Sequence, residues 1–588
     1  MTNTAALLAL LFAGCDGGSG KETTDTADLC APTGEQPPVV IDCASLLEPL
    51  VFSDDPLRAV DYLVDCSERV VDLTIEPGAV VSFGEGASLS VYSGTLRIEA
   101  GTCPAVLQGA VAEPGHWRGI FIDNDAAAEG VTISGAEIHH AGGDAFNSNG
   151  DLGSIVLWAE SVLTIEDTLI ADSASNGLNA TYGGASLSMA RNTFDNNAGY
   201  AIISEAAYAS SLDSETLFTG NGTDGLSMLG GTLDAEGASW APASAPYRVL
   251  EDGVVKATGP FTIEAGVTVA FEARAGLSLG GSGALHAAGT AEAPVVLAGV
   301  DETRGAWRGV FLDAEEHVHR IEHTEIRHAG GDAFNSNGDL GALIVWADNA
   351  VSLDTVTISE SAAYGLNLTY GGAEVTMSGP SLFTGNALAP VVTLPDYGAM
   401  ISGAASYVGN DADYVLVDAG ATIYGQDTWE ALDVPYRLRS FDQIFFHVNI
   451  DEGAGLTLEP GVEVVAEQDT GFEVSEGSFV AEGTPDAPVV FRAADGASWS
   501  GFLFEDPRDV DVVQSIDHAS ISGAGSSPFN SNGDVGAVVV WADTQASVTN
   551  TVFSETAAPC AIIAPYNNDD VSVLGSSAAS AQLLCDED

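Results

Sequence analysis

Along most of the chain the apolar positions come in short runs that alternate with small polar side chains, such as VVSF from Val80, LSV from Leu89 and LRIEA from Leu96. Alternation with period two marks strands with one face in a core, and the Gly, Asn and Asp residues that close each run are turn formers. The pattern recurs at a fixed interval. Ile170, Phe194 and Phe218 are 24 residues apart, as are Asn197 and Asn221, Phe383 and Tyr407, and Asn386 and Asn410. A unit of that size, three short strands and three turns, cannot close a core of its own. Stacked on copies of itself it buries a continuous one, each strand pairing in parallel with its counterpart one coil away. The expected fold class is therefore all-β, a solenoid of about 24-residue coils.

A longer repeat lies above the short one. HAGGDAFNSNGDLG runs from His140 to Gly153 and again, unchanged, from His328 to Gly341, and GAGSSPFNSNGDVG from Gly523 to Gly536 is a third version. The same frame surrounds each copy. LTIEPG (Leu73), FTIEAG (Phe261) and LTLEPG (Leu456) lead to WRG (Trp117, Trp307) and WSG (Trp499). VLWAE (Trp158), IVWAD (Trp346) and VVWAD (Trp541) follow, then TYGG (Tyr182, Tyr370) and PYNN (Tyr566). Trp240 and Trp429 correspond as well, so all eight tryptophans sit at repeat positions. These marks divide the chain into a leader over residues 1–15, an acidic tether over 16–42, and three homologous modules over 43–233, 234–424 and 425–588.

Ile138 to Ile170, Ile326 to Ile358 and Ile521 to Phe553 are each 32 apart, one coil plus eight residues, and DAFNSNGD from Asp144 to Asp151 is eight residues long. Each module thus carries one extruded loop at the same point. One reading is a ligand or cation site. Asp144, Asn147, Asn149 and Asp151, with Asp332, Asn335, Asn337 and Asp339 in the second copy and Asn530, Asn532 and Asp534 in the third, place oxygen ligands at short spacings suited to a hard cation such as Ca²⁺. The other reading is turn chemistry, in which Asn, Ser, Gly and Asp bond to their own backbone and the Phe is a plug. The EF-hand ligand spacing is not met, and Ser527 replaces the first Asp in copy three. Tyr182, Tyr370 and Tyr566, in Gly- and Asn-rich stretches, are candidate platforms for stacking on sugar rings, whereas Trp117, Trp307 and Trp499 beside apolar runs read as packing.

Composition narrows the partners. With 17 Lys plus Arg against 84 Asp plus Glu, the net charge is −67. That balance excludes nucleic acid, which is held by cationic side chains, and repels polyanionic glycans unless divalent cations bridge them. A hydrophobic content of 46% excludes a disordered acidic tail. The apolar run from Ala5 to Ala13 is too short to span a bilayer as a helix and reads as an export signal. Its FAGC ending resembles a bacterial lipoprotein signal, which makes Cys15 the lipidated residue and places the chain at the cell envelope, on the outer membrane or cell surface. The six remaining cysteines, an even number in an exported chain, point to three disulfides.

The LTIEPG, GT..APV and WRG phrases, with the 24-residue period, make residues 40–588 resemble the right-handed parallel β-helix of pectin-lyase-like bacterial surface proteins. The resemblance implies a rod on the order of 100 Å at about 4.8 Å per coil. On such a rod Cys560 and Cys585, 25 apart, and Cys43 and Cys66, 23 apart, sit on neighbouring coils within disulfide reach, leaving Cys30 for Cys103. The enzyme motifs of that fold are missing. SIDH (Ser515 to His518) aligns with RIEH and TISG of the other modules as a repeat strand, and no RxPxxR follows it. The expected role is a noncatalytic, membrane-tethered surface protein that binds carbohydrate or another envelope component, with a β-helix polysaccharide lyase or glycoside hydrolase as the alternative.

Overall fold

The computed structural model describes residues 30–124, 130–234, 236–314, 318–505, 513–529, 533–541, 544–565 and 571–585. Cys15, Asn530, Asn532 and Tyr566 lie outside them. The chain is all-β: among the described residues the only helical segments are three 3-10 turns at Cys43–Leu47, Ala206–Ser211 and Pro395–Met400.

The strands form seven sheets, and neighbours within a sheet are in most cases three strands apart in the sequence. That order is compatible with a β-helix solenoid. The pairings are parallel, and like side chains meet in register. Leu50, Leu73, Leu96, Val131, Leu163 and Leu187 form one column of a six-stranded sheet. Ile138, Ile170, Phe194 and Phe218 form another, in an eight-stranded sheet. The intervals of 32 and 24 residues expected for these positions are therefore real pairings. The rings of Phe194 and Phe218 stack with centroids 5.7 Å apart.

Most strands bury alternate residues, as in Ala105–Gly109 and Val295–Gly299, because inward side chains fill the core while outward ones meet water. Inside, Trp117, Trp307 and Trp499 are fully buried. Each indole Nε1 donates to a backbone carbonyl, that of His139 at 2.8 Å, Arg327 at 2.8 Å and Ser522 at 2.9 Å. Burying an indole without a partner would leave its N–H unsatisfied, so this bond is what lets the ring enter the core. Buried amides do the same for turns: Asn197 Nδ2 donates to the Ile170 carbonyl at 3.0 Å and to Asn221 Oδ1 at 2.8 Å, and Asn386 and Asn410 repeat the contact at 2.8 Å.

Three disulfides close the ends of the sequence, Cys30–Cys103, Cys43–Cys66 and Cys560–Cys585. They fit an oxidising, extracellular setting. No helix among the described residues is long and apolar enough to cross a membrane.

Candidate functional site

Several short strands break the alternating pattern, among them the one that follows each loop. Ile155–Leu157, Leu343–Val345 and Val538–Val540 are buried at every position, so their outward side chains are covered as well. Each follows an eight-residue loop whose phenylalanine packs on this region of the sheet. In the first copy Phe146 stacks on Phe121, centroids 5.2 Å apart, and Arg118 lies over the same Phe146 ring with its guanidinium carbon 5.1 Å from the centroid. Arg118 Nη2 also donates to the Ala145 carbonyl. Phe311, Phe334 and Arg308 repeat the arrangement at 5.3 and 5.9 Å. In the third copy Phe529 packs outside Leu503, Val539 and Ile563.

The polar half of the loop is bonded to itself. Asn147 Nδ2 donates to Asp151 Oδ2 at 2.6 Å, while Asn147 Oδ1 accepts the Asn149 amide at 3.0 Å. Asn335, Asn337 and Asp339 repeat both bonds at 2.6 and 3.2 Å. The turn closes at Gly150, Gly338 and Gly533, whose φ values of 89°, 82° and 88° favour glycine. Asp144 and Asp332 stand exposed outside this network, and Asp534 is buried. Among the described residues no group of three or more His, Cys, Asp or Glu is placed to hold a metal ion.

The loop is joined to the aromatic pair that follows it. The Tyr182 hydroxyl donates to Asp151 Oδ2 at 3.0 Å and accepts from Asn149 Nδ2 at 2.9 Å. Its ring lies against Trp158 with centroids 3.9 Å apart. Tyr370 donates to Asp339 Oδ2 at 2.7 Å, accepts from Asn337 Nδ2 at 3.3 Å, and lies 3.8 Å from Trp346. Partial burial raises both phenols above their ordinary range, so they remain donors at neutral pH. Copies one and two thus each present a half-exposed ledge of two rings edged by an amide and a carboxylate. Of the tyrosines expected as stacking platforms, Tyr182 and Tyr370 each pair with a tryptophan. Trp158 and Trp346 are residues that the sequence reading passed over as frame, although their recurrence in VLWAE and IVWAD was the available signal.

The residues flanking the loops have structural roles. His140 and His328 have φ of 64° and 65°, and Gly523 takes their place in copy three at 71°. The exchange follows the left-handed backbone, which glycine adopts without strain. Burial holds both imidazoles below their ordinary pKa. His139 pairs with Glu137 at 3.3 Å, and Arg327 pairs with Glu325 at 3.3 Å. Copy three departs from the others. Ser500 stands where the others have Arg and shares a 2.8 Å hydrogen bond with Ser527. His447 takes over the contact with the loop Phe, 4.6 Å from Phe529, and its Nδ1 lies 3.2 Å from Glu473 Oε2. A cavity of about 360 Å³ opens beside this pair, lined in part by Phe445, Asn449 and Asp469.

Comparison with protein-family models, with curated proteins and with solved structures gives no match for this chain.

Proposed function

We propose that the chain is an exported, lipid-tethered surface protein whose three homologous modules form one right-handed parallel β-helix of about 24-residue coils, and that it binds neutral polysaccharide without cleaving it. Cys15 is the anchoring residue in this reading. The observation that carries the binding role is the ledge built twice with the same geometry, Tyr182 on Trp158 and Tyr370 on Trp346. Flat apolar rings rimmed by Asn and Asp side chains match a sugar, which offers a C–H face and a hydroxyl edge. A charge of −67 directs the choice toward neutral glycans.

The arginines nearest the loops support a structural use, since Arg118 and Arg308 brace the loop phenylalanines and Arg327 pairs with Glu325. The test is a panel of neutral and anionic polysaccharides, scored for binding and for release of shortened chains, with and without Ca²⁺. Binding of a neutral glycan without depolymerisation is expected. Release of shortened chains from any member replaces this reading with the lyase or hydrolase one.

A further inference from the structure

The three copies do not occupy the same sheets. In copy one the strand before the loop, Ala136–His139, belongs to the eight-stranded sheet, and the strand after it, Ile155–Leu157, to the thirteen-stranded sheet. In copy two the strand before the loop, Thr324–Arg327, has moved into that same thirteen-stranded sheet, and Leu343–Val345 lies in the fourteen-stranded sheet. Copy three repeats the step. Ala519–Ser522 is in the fourteen-stranded sheet and Val538–Val540 in the seven-stranded one. At each copy, the sheet that held the ledge strand becomes the sheet that holds the strand ahead of the loop.

The step follows from the strand count. Seven pairings along the thirteen-stranded sheet separate Ile155–Leu157 from Thr324–Arg327, and Leu343–Val345 follows as the next strand in the chain. The sequence repeat therefore equals seven coils plus one further strand. Wrapped over three sheets per coil, that remainder turns each copy by one side relative to the copy before it. The ledges of Trp158 with Tyr182 and of Trp346 with Tyr370 consequently face different sides, about 35 Å apart along the stack at about 4.8 Å per pairing.

We infer that the protein bridges separate neutral polysaccharide chains, each ledge engaging a different strand from a different side. The inference rests on the carbohydrate reading above and goes further, because ledges in one row would instead grip a single chain or a flat surface together. Two sites on one side raise avidity by making the second contact intramolecular, whereas sites on different sides cannot meet one plane at once.

The experiment uses the neutral polysaccharide that binds best in the panel, presented on beads and as a planar monolayer. Wild-type protein is compared with two proteins that each keep one complete ledge, Trp346→Ala/Trp541→Ala and Trp158→Ala/Trp541→Ala. Far-ultraviolet circular dichroism reports whether each is folded. If either loses its fold, Tyr182→Ala or Tyr370→Ala replaces the tryptophan change. Wild type is expected to agglutinate the beads at a concentration at least tenfold below that needed by either single-ledge protein, and to leave the planar monolayer within twofold of their rate. Dissociation of wild type from the plane tenfold or more slowly, or failure to agglutinate beads that it binds, overturns the bridging inference and leaves the binding role intact. Absence of binding to every neutral glycan overturns both.

Discussion

Asp427 offers a sharp test of how the stack is held where the second and third repeats meet. It lies on the strand Gln426–Trp429, against the 3-10 turn Pro395–Met400. Burial, followed by the neighbouring Asp396 carboxyl, pushes its pKa from 3.8 up to about 6. Asp396 is itself held in place by the Tyr424 amide, which donates to Oδ1 at 2.8 Å. A carboxyl whose pKa is raised on folding binds its proton more tightly in the folded state. Its contribution to stability is therefore complete below about 3.8, the unfolded value, and is lost as pH rises through about 6.

Taken at full strength the shift would be worth about 3 kcal/mol at 1.36 kcal/mol per pKa unit. Asp427 is only half-buried, so screening by water reduces the expected effect to about 1 kcal/mol. Stacked repeats open locally rather than all at once, which makes amide exchange a better readout than a single unfolding free energy. At pH 7.5, Asp427→Asn should slow exchange in peptides covering Pro395–Met400 and Gln426–Trp429 by about fivefold relative to wild type, the factor that corresponds to 1 kcal/mol. At pH 4 the two proteins should agree within twofold. Comparing them at one pH cancels the intrinsic pH dependence of exchange. Equal protection at pH 7.5, or faster exchange in the variant, would mean that the Asp427 charge does not destabilise this junction.

Further outcomes follow from the same geometry. Trp307→Ala removes a fully buried ring stacked 4.0 Å from Phe271 and leaves the Arg327 carbonyl without its donor, a loss of about 3–5 kcal/mol that will lower the midpoint of the earliest denaturation step. Asn197→Ala leaves the buried Ser173 amide without the side-chain oxygen it bonds at 3.1 Å and should cost about 2 kcal/mol, visible as faster amide exchange around Thr193–Asp195. Tyr182→Phe keeps the stack on Trp158 and loses only the hydroxyl bonds, so glycan affinity should stay within about threefold, whereas Trp158→Ala should cost copy one about tenfold, measured by titration in a background lacking the other ledge. Reducing Cys560–Cys585 should release the strand Gln582–Cys585 to rapid exchange while the centre of the chain stays protected.

The strands, their parallel pairing and the partners Cys43–Cys66 and Cys560–Cys585 are readable in the sequence because each rests on spacing, whereas Cys30–Cys103 follows only by elimination. A residue that recurs after one coil must lie beside its earlier copy, as Phe194 and Phe218 do. The sideways step between repeats was not readable in the same way. A repeat of 188 residues between His140 and His328 contains loop insertions, so its length does not reveal that a strand remains after seven coils. The site was legible in part. Asn147, Asp151 and Tyr182 were picked for their chemistry, but their bonds to one another depend on where the loop folds back, and that is set by Phe146 meeting Phe121 across the sheet. Trp158 escaped notice because buried and half-exposed tryptophans look alike in a repeating frame. The replacement of Arg118 by His447 as the partner of the loop ring in copy three comes from a different strand altogether, and no local pattern points to it.

Whether successive coils stack into one continuous solenoid is tested most directly by small-angle X-ray scattering from the chain lacking its first 29 residues. About 22 coils at about 4.8 Å each form a rod of about 105 Å, whose expected radius of gyration is about 32 Å. A value of about 25 Å, that of a compact globule of the same length, would contradict it.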